Sequence, residues 1–431
     1  MDSEACTASS VDARSPTSPP FKNQLDHGEF VDSEDEGEVE FASEDQGLYA
    51  SGHFYPICIG ETLHNGRYRI DHKLGRGGFS VVWLARDLRE HKNVALKVLS
   101  SSDAAAQEHQ IHRKLLDRAQ DHSRLVLCQD FFMLQGSKGE HHVLVLPLRG
   151  PNLSSYLMKS KRPIAVYMSA AKDLLQAVIS LHSAGFVHRD NDGRALTQRT
   201  LADIILANTV WDIDPEFHNL TVDDQYKLLG RPRKARMWVE TSKPGELVEP
   251  ATFPASLVGS HAHLCDFGIL VDSGTAVPVK LQSPPEFCAP ELFHGFEPSF
   301  SSDIWSYMVV FMYLYSGGFH PLFPGLYPAH KMQSIIERLG PLPAHWKGRW
   351  DAPEYGQPIE GSWYDQDREM QPTNTFSAFL DQHRPDISAV EKACALSLIA
   401  KVFCHLPEDR LTASQLADDP DFKRLMQFYE V

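Results

Sequence analysis

The 431-residue chain is 42% hydrophobic and 10% aromatic, which excludes a chain too polar to bury a core and admits roughly two or three average domains or one two-lobed enzyme with a tail. Its formal net charge of −16, with no basic stripe to offset it, excludes a protein that grips duplex nucleic acid through phosphate neutralisation. Seven scattered cysteines without a C-x-x-C pair exclude a disulfide framework or zinc ribbon and are expected as reduced thiols in an intracellular setting. No charged-then-apolar leader is seen, and the longest apolar run, Tyr307 to Tyr315, is about half of the roughly 20 residues that a membrane span needs. No membrane association is expected.

In chain order, residues 1–48 come first as an acidic tail. The first 50 residues hold thirteen Asp or Glu against Arg14 and Lys22, a net of −11. Their richness in Ser, Pro, Asp and Glu predicts disorder. Ser33 and Ser43, each followed by acidic residues, read either as sites for an acid-directed kinase or as parts of a solvating tail. Residues 49–150 form a first lobe. Tyr68-Arg69-Ile70, Ser80 to Leu84 and Val94 to Leu99 are apolar runs separated by turn residues, which predicts an antiparallel meander. Ala104 to Leu116 predicts a helix with Ile111, Leu115 and Leu116 on one face, and Val143 to Leu148 a further strand.

Residues 151–431 change character. Helical spacing of apolar residues recurs at Ile164 to Ala184, Asp303 to Tyr315, Met332 to Leu339, Ala389 to Phe403 and Ala413 to Leu416. A polar, proline-containing insertion is expected at about 207–260, with a short helix at Val222 to Leu229, and a loop at 351–375.

Several short strings carry chemistry. The run from Leu74 through Gly75, Gly77, Gly78 and Phe79 to Ser80 is a glycine-rich turn between two strands, a context in which backbone N–H groups approach nucleotide phosphates. Lys97, on the next strand, has the reach to neutralise phosphate charge, and Glu108, on the following helix, is its natural partner. Read alone, each would be an ordinary strand lysine or solvated helix glutamate. His188-Arg189-Asp190 follows a helix, which places Asp190 to accept a hydroxyl proton and Arg189 to pair with a phosphate on a later segment. Asp266-Phe267-Gly268 puts a carboxylate after a short apolar strand, where it can bind a divalent metal. Ala289-Pro290-Glu291, then Ser302-Asp303-Ile304-Trp305, then Arg410 complete the order, with Arg410 expected to bury against Glu291.

Six such strings in this order resemble the eukaryotic protein kinases over about residues 50–428. More narrowly the chain is similar to the SR-protein kinase branch, especially divergent fungal members, through Gly52 to Gly60 leading to Arg67-Tyr68, the serine-ended loop Gly78 to Leu84, Leu220 to Tyr226, Leu247 to Pro250 and Pro407 to Phe422. The resemblance implies an α+β bilobal fold, with a small antiparallel sheet and one helix in the first lobe and a larger, mainly helical second lobe. It implies ATP and Mg²⁺ as cofactors, with Asp266 and Asp203 as metal ligands. Leu74 to Ser80, Val82, Ala95 and Lys97 would enclose the nucleotide, and the backbone of Pro147 and Arg149 would read the adenine edge. Cys265 reads as a packed thiol or a reactive one facing the nucleotide. The partner implied is a protein substrate, with arginine/serine-rich segments as the branch's preference; no nucleic acid is expected, the chain is expected to be a monomer, and the cytoplasm and/or nucleus is its expected place.

The sequence also departs from the family. Position 195 is Ala where the family has a metal-binding Asn, and Asp192 stands where a lysine steadies the transferred phosphate. The best match to the Asn-Ile-Leu that follows is Asp203-Ile204-Ile205-Leu206, which makes Asn191 to Gln198 an apparent eight-residue insertion. Ser283 and Pro284 compete for the position of a threonine that contacts the catalytic aspartate. The segment Gly317 to Pro324 lacks the carboxylates expected of a docking groove for arginine-rich peptides. The function expected is a serine/threonine protein kinase; the alternative is a pseudokinase that binds nucleotide or a partner without transfer. A small-molecule kinase of related fold is disfavoured by Glu291, Asp303 and Arg410.

Overall fold

The computed structural model describes residues 27–101, 103–154, 157, 162–188, 204–277, 285–318, 320–325, 327–351 and 372–431. The first lobe opens with two short helices, α1 (Glu36–Ala42) and α2 (Gln46–Ala50). Strands β1 (Thr62–Leu63), β2 (Tyr68–Arg76), β3 (Ser80–Asp87) and β4 (Lys92–Leu99) follow, then helix α3 (Asp103–Arg118) and strands β5 (Asp130–Gln135) and β6 (Glu140–Pro147). The six strands form one antiparallel sheet in the order β1-β2-β3-β4-β6-β5.

The two-residue period of a strand sorts this sheet into two faces. Val81, Trp83 and Ala85 of β3 join Val94, Leu96 and Val98 of β4 and Val143 and Val145 of β6 in the lobe core. The intervening Val82, Ala95, Leu144 and Leu146 gather in a second cluster with Val210 and Cys265, which come from the other lobe. The alternation that builds the core therefore also lines the cleft.

The second lobe continues with α4 (Ile164–Ser183), β7 (Phe186–Val187), α5 (Ile204–Ala207), β8 (Thr209–Ile213), α6 (Val222–Leu229), β9 (Lys234–Arg236), β10 (Glu246–Val248), β11 (Val258–Leu264) and β12 (Val271–Asp272). It ends with α7 (Phe300–Ser316), α8 (Pro328–Leu339), α9 (Phe376–His383), α10 (Ala389–Val402), α11 (Ala413–Asp418) and α12 (Pro420–Gln427). Among the described residues α4 is long and apolar enough to cross a membrane. Its residues Tyr167, Met168, Leu174, Leu175 and Leu181 are buried, and Tyr307 of α7 donates a hydrogen bond to the Ala171 carbonyl. It is a core helix. Helix α7 starts at a reciprocal cap, Ser299 with Ser302, and ends at Gly317 in the left-handed conformation (φ 68°), signals worth about 1 kcal/mol or more together.

Two expectations need correction. Residues 27–48 are not a solvating tail: Val39 is fully buried in the first-lobe core, Glu44 is buried against Lys73 and Tyr49, and Ser43 donates to the Val248 carbonyl. Composition missed this because a segment needs only a few apolar anchors when its acids find buried partners. Residues 1–26 lie outside the described residues. The insertion, in turn, is structured and reaches the first lobe. The β9–β10 hairpin buries Ala235, Leu247 and Val248 in that core, Tyr226 donates to the Asp71 carbonyl, and the Ala251 N–H bonds to the Lys73 carbonyl. The short helix expected at Val222 to Leu229 is α6.

Candidate active site

The glycine-rich turn is tight because of its backbone. Gly75 pairs with Val82 and Arg76 with Val81 across β2 and β3, and the Gly77 N–H donates to the Ser80 carbonyl at 2.8 Å. The Ser100 N–H donates to the Phe79 carbonyl at 2.7 Å, which ties the turn to the end of β4. A Cβ built on Gly75 would meet nothing within 4 Å, so the loop has open space at the position where a ligand would approach the backbone.

Behind the loop, β4 carries Lys97 in register with Val82 and Leu144. Its ammonium donates to Glu108 Oε1 of α3 at 2.7 Å and to Asp266 Oδ1 at 2.9 Å. Burial opposes the charge on Lys97, but the Asp266 and Glu108 carboxylates outweigh it and hold the ammonium above the usual lysine range. Asp266 shows the reverse: desolvation works against its charge, and Lys97, aided by the Gly268 N–H, holds the carboxyl below its ordinary value. Asp266 adopts a left-handed backbone (φ 62°), a conformation costing of order 1 kcal/mol and characteristic of functional positions. Its side chain is 47% exposed, so it remains open to a cation while bound to Lys97.

Leu74, Val82, Ala95 and Leu146 form the apolar wall above this pair, and Val210 and Cys265 lie against the same cluster from the second lobe. Pro147 ends β6 opposite Val94. Arg149 follows, its guanidinium partly buried and held below the usual arginine range by that burial, with Asp212 opposing. Cys265 donates its thiol to the Asn208 carbonyl, and its partly buried place against the cluster suits the packed reading.

Of the predicted catalytic residues, Lys97 and Glu108 are brought together with Asp266. Arg189, Asp190 and Asp203, as well as Ser283 and Pro284, lie outside the described residues. The approach to them is held firmly. The His188 N–H donates to Asp303 Oδ2 at 2.8 Å, and His182 Nε2 meets the same oxygen at 3.1 Å. Burial lowers the His188 pKa, against the pull of Asp303 and Asp266.

Two site residues were missed by sequence reasoning. Val210 closes the apolar cluster from below, and Asn208 stands at the start of β8, its carbonyl accepting the Cys265 N–H at 2.8 Å. With Leu264 paired to Thr209, the next step of the ladder places Asn208 beside Cys265, the neighbour of Asp266. The signal was present: Asn208 lies five residues after Asp203 and precedes a strand-prone run, Thr209 to Ile213.

The donors fit the group that the fold implies: an apolar slot, a cation at its rear and an acid open to a metal. Protein kinase domains in general use ATP and a divalent cation and act on proteins.

Comparison with known proteins agrees. The protein kinase domain family matches residues 68–191. Protein kinase dsk1 of Schizosaccharomyces pombe is 33% identical over 153 residues, covering 33% of this chain and 28% of that protein. SRSF protein kinase 3 of Mus musculus is 33% identical over 158 residues, 34% of this chain and 28% of its own. A serine/threonine protein kinase of Aspergillus fumigatus is 25% identical over 399 residues, 89% of this chain and 91% of that one. The chain thus spans just over a quarter of the first two relatives. Sheet, cleft and the Lys97–Glu108–Asp266 constellation accompany this match, and the chain is similar to the protein kinase domain over residues 68–191, to SRSF protein kinase 3 and to fungal protein kinases.

Proposed function

We propose that this chain is a serine/threonine protein kinase that transfers the γ-phosphate of ATP, with Mg²⁺, to a protein hydroxyl. In this reading Asp203 takes the hydroxyl proton and Asn208 joins Asp266 as a metal ligand. The observation that supports it is the backbone pairing of Asn208 with Cys265, the residue that precedes Asp266. Asn208 is five residues beyond Asp203, the interval that kinase loops keep between proton acceptor and amide ligand.

This revises the roles read from sequence. Asp203 keeps a part in the reaction but trades metal binding for proton transfer, and the amide that is absent at position 195 is supplied at 208. The extra length then becomes Arg189 to Leu201, thirteen residues, whose removal joins His188 to Ala202-Asp203.

The metal, when bound, offsets charge on the transferring phosphoryl group. The chain's own residues do the rest. Lys97, fixed by Glu108, orients the phosphates; the loop from Gly75 to Ser80 covers them and excludes water; and the carboxylate takes the proton as the hydroxyl attacks, worth about 10²–10⁴-fold. Protein serines are the substrate class. Arginine-rich context is carried by the likeness to the SR-protein kinases, and a peptide panel decides it.

The test is transfer of labelled γ-phosphate from Mg-ATP to serine peptides with and without flanking arginines. It compares the full chain, a version without Arg189 to Leu201, one without Asn191 to Gln198, and the substitutions Asp203→Asn and Asp190→Asn. The expectation is that Asp203→Asn costs about 10²–10⁴-fold and Asp190→Asn little. The reverse order would return the catalytic role to Asp190. Nucleotide binding with no transfer in any version would leave a pseudokinase.

A further inference from the structure

Helix α3 offers the cleft more than Glu108. One turn on, and on the same face, stands His112, only 1% exposed. Its Nδ1 lies 3.1 Å from the backbone nitrogen of Cys128, a group that can only donate. Nδ1 therefore carries no proton, and the ring's N–H is at Nε2. Nε2 lies 3.8 Å from Glu108 Oε1, the same oxygen that accepts from Lys97. No hydrogen-bond partner is present for Nε2 among the described residues. The other face of the imidazole meets the Phe267 ring edge-on, with centroids 5.4 Å apart at 69°.

One ring thus touches the loop before β5, the acid that holds Lys97, and the residue next to Asp266. An apolar side chain would fill the same volume. The imidazole adds two things that volume does not: an acceptor for a buried N–H and a donor aimed at the rear of Oε1. Closing the remaining gap by about 0.8 Å would make it a hydrogen bond. A carboxylate that accepts from both sides stays in place when Lys97 shifts its contacts toward a phosphate.

We infer that His112 is a positioning residue that acts through Glu108 to hold Lys97 for nucleotide. The activity arm of its test rests on the kinase reading; the chemical arm does not.

The chemical arm measures the rate at which an amine-reactive ester acylates Lys97, read by mass spectrometry against exposed Lys138 in the same sample. It needs neither nucleotide nor turnover. His112→Leu removes both polar contacts, whereas His112→Asn can still accept from Cys128. Both variants should acylate Lys97 several-fold faster than the parent. In a Glu108→Gln background neither should add anything, because the group through which His112 acts is already lost. In the activity arm, both should lower kcat/KM for ATP by about tenfold, mostly through KM, at a His112→Asn melting temperature close to the parent's. If His112→Asn behaves as the parent in both arms, the histidine serves only Cys128 and the inference is overturned. If the effect of His112→Leu persists undiminished in the Glu108→Gln background, it does not act through Glu108 and the inference fails equally. A parent chain without phosphotransfer would sink the kinase reading alone, since the acylation rates would still decide the role of His112.

Discussion

Two buried ion pairs, one in the cleft and one beneath Ala289-Pro290-Glu291, look alike in sequence and differ in what they leave unused. Arg410 and Glu291 are 0% and 1% exposed and meet through two bonds of 2.7 Å. The remaining guanidinium donors go to the carbonyls of Cys404, Ser301 and His405, and Trp305 lies under the plane at 5.0 Å. Every donor is committed to the fold. Lys97 also lies between carboxylates, but one of them, Asp266, faces the cleft and is open to solvent. An ammonium shared with an accessible acid can exchange partners when a ligand arrives. A pair enclosed on all sides holds the chain together; a pair with one open member is equipped for chemistry.

This contrast predicts opposite outcomes for removing each cation. Lys97→Ala should lower phosphotransfer by on the order of 10³-fold and cost less stability than Arg410→Ala, because the freed Asp266 can be solvated and only Glu108 is left buried without its partner. Arg410→Ala should instead cost about 3–5 kcal/mol of stability, the usual result of leaving a buried charge without its partner, visible as a lower denaturant midpoint. A loss of stability for Lys97→Ala as large as that for Arg410→Ala, or none for Arg410→Ala, would break the comparison.

A smaller effect sharpens it. Lys331 is a buried cation that no carboxylate pair encloses among the described residues: it donates to the Phe323 carbonyl, and burial pushes its pKa down to about 8, with Glu286 opposing. Below about pH 8 the lysine is protonated in both folded and unfolded chains, and its burial penalty is constant. Between about 8 and the ordinary lysine value the unfolded chain binds more protons, so stability rises with pH. The difference between the chain and Lys331→Met, followed by denaturant unfolding, should therefore shift by about 1–3 kcal/mol over that window. A flat difference would show that Lys331 is not desolvated in the folded protein.

How much of the site was legible depended on how far apart its parts lie along the chain. Lys97 and Glu108 are eleven residues apart on a strand and the next helix, so their meeting follows from local geometry. Asp266 is 169 residues beyond Lys97 and was legible only through its flanking Phe267 and Gly268. Asn208 was passed over because Asp203-Ile204-Ile205-Leu206 offered a better-looking match, and only the ladder of β8 with β11 singles out the position beside Cys265. Glu44 was lost among its acidic neighbours, since its partner, Lys73, is 29 residues away on β2.

By itself, the sequence determined the two-lobed class, the glycine turn, the alternating faces of β3, β4 and β6 and the lysine–glutamate pair. The strands and the turn arise from short-range periodicity, which the backbone imposes on any chain with that pattern; the two-lobed class and the pair were legible through the resemblance to the protein kinases. Only the tertiary structure decided that residues 27–48 and the β9–β10 hairpin of the insertion join the first lobe, that Asn208 pairs with Cys265 next to Asp266, and that His112 lies beside Glu108. Those contacts join segments whose separate compositions say nothing of each other, and they exist because burial selects partners by shape and charge in space, not by distance along the chain.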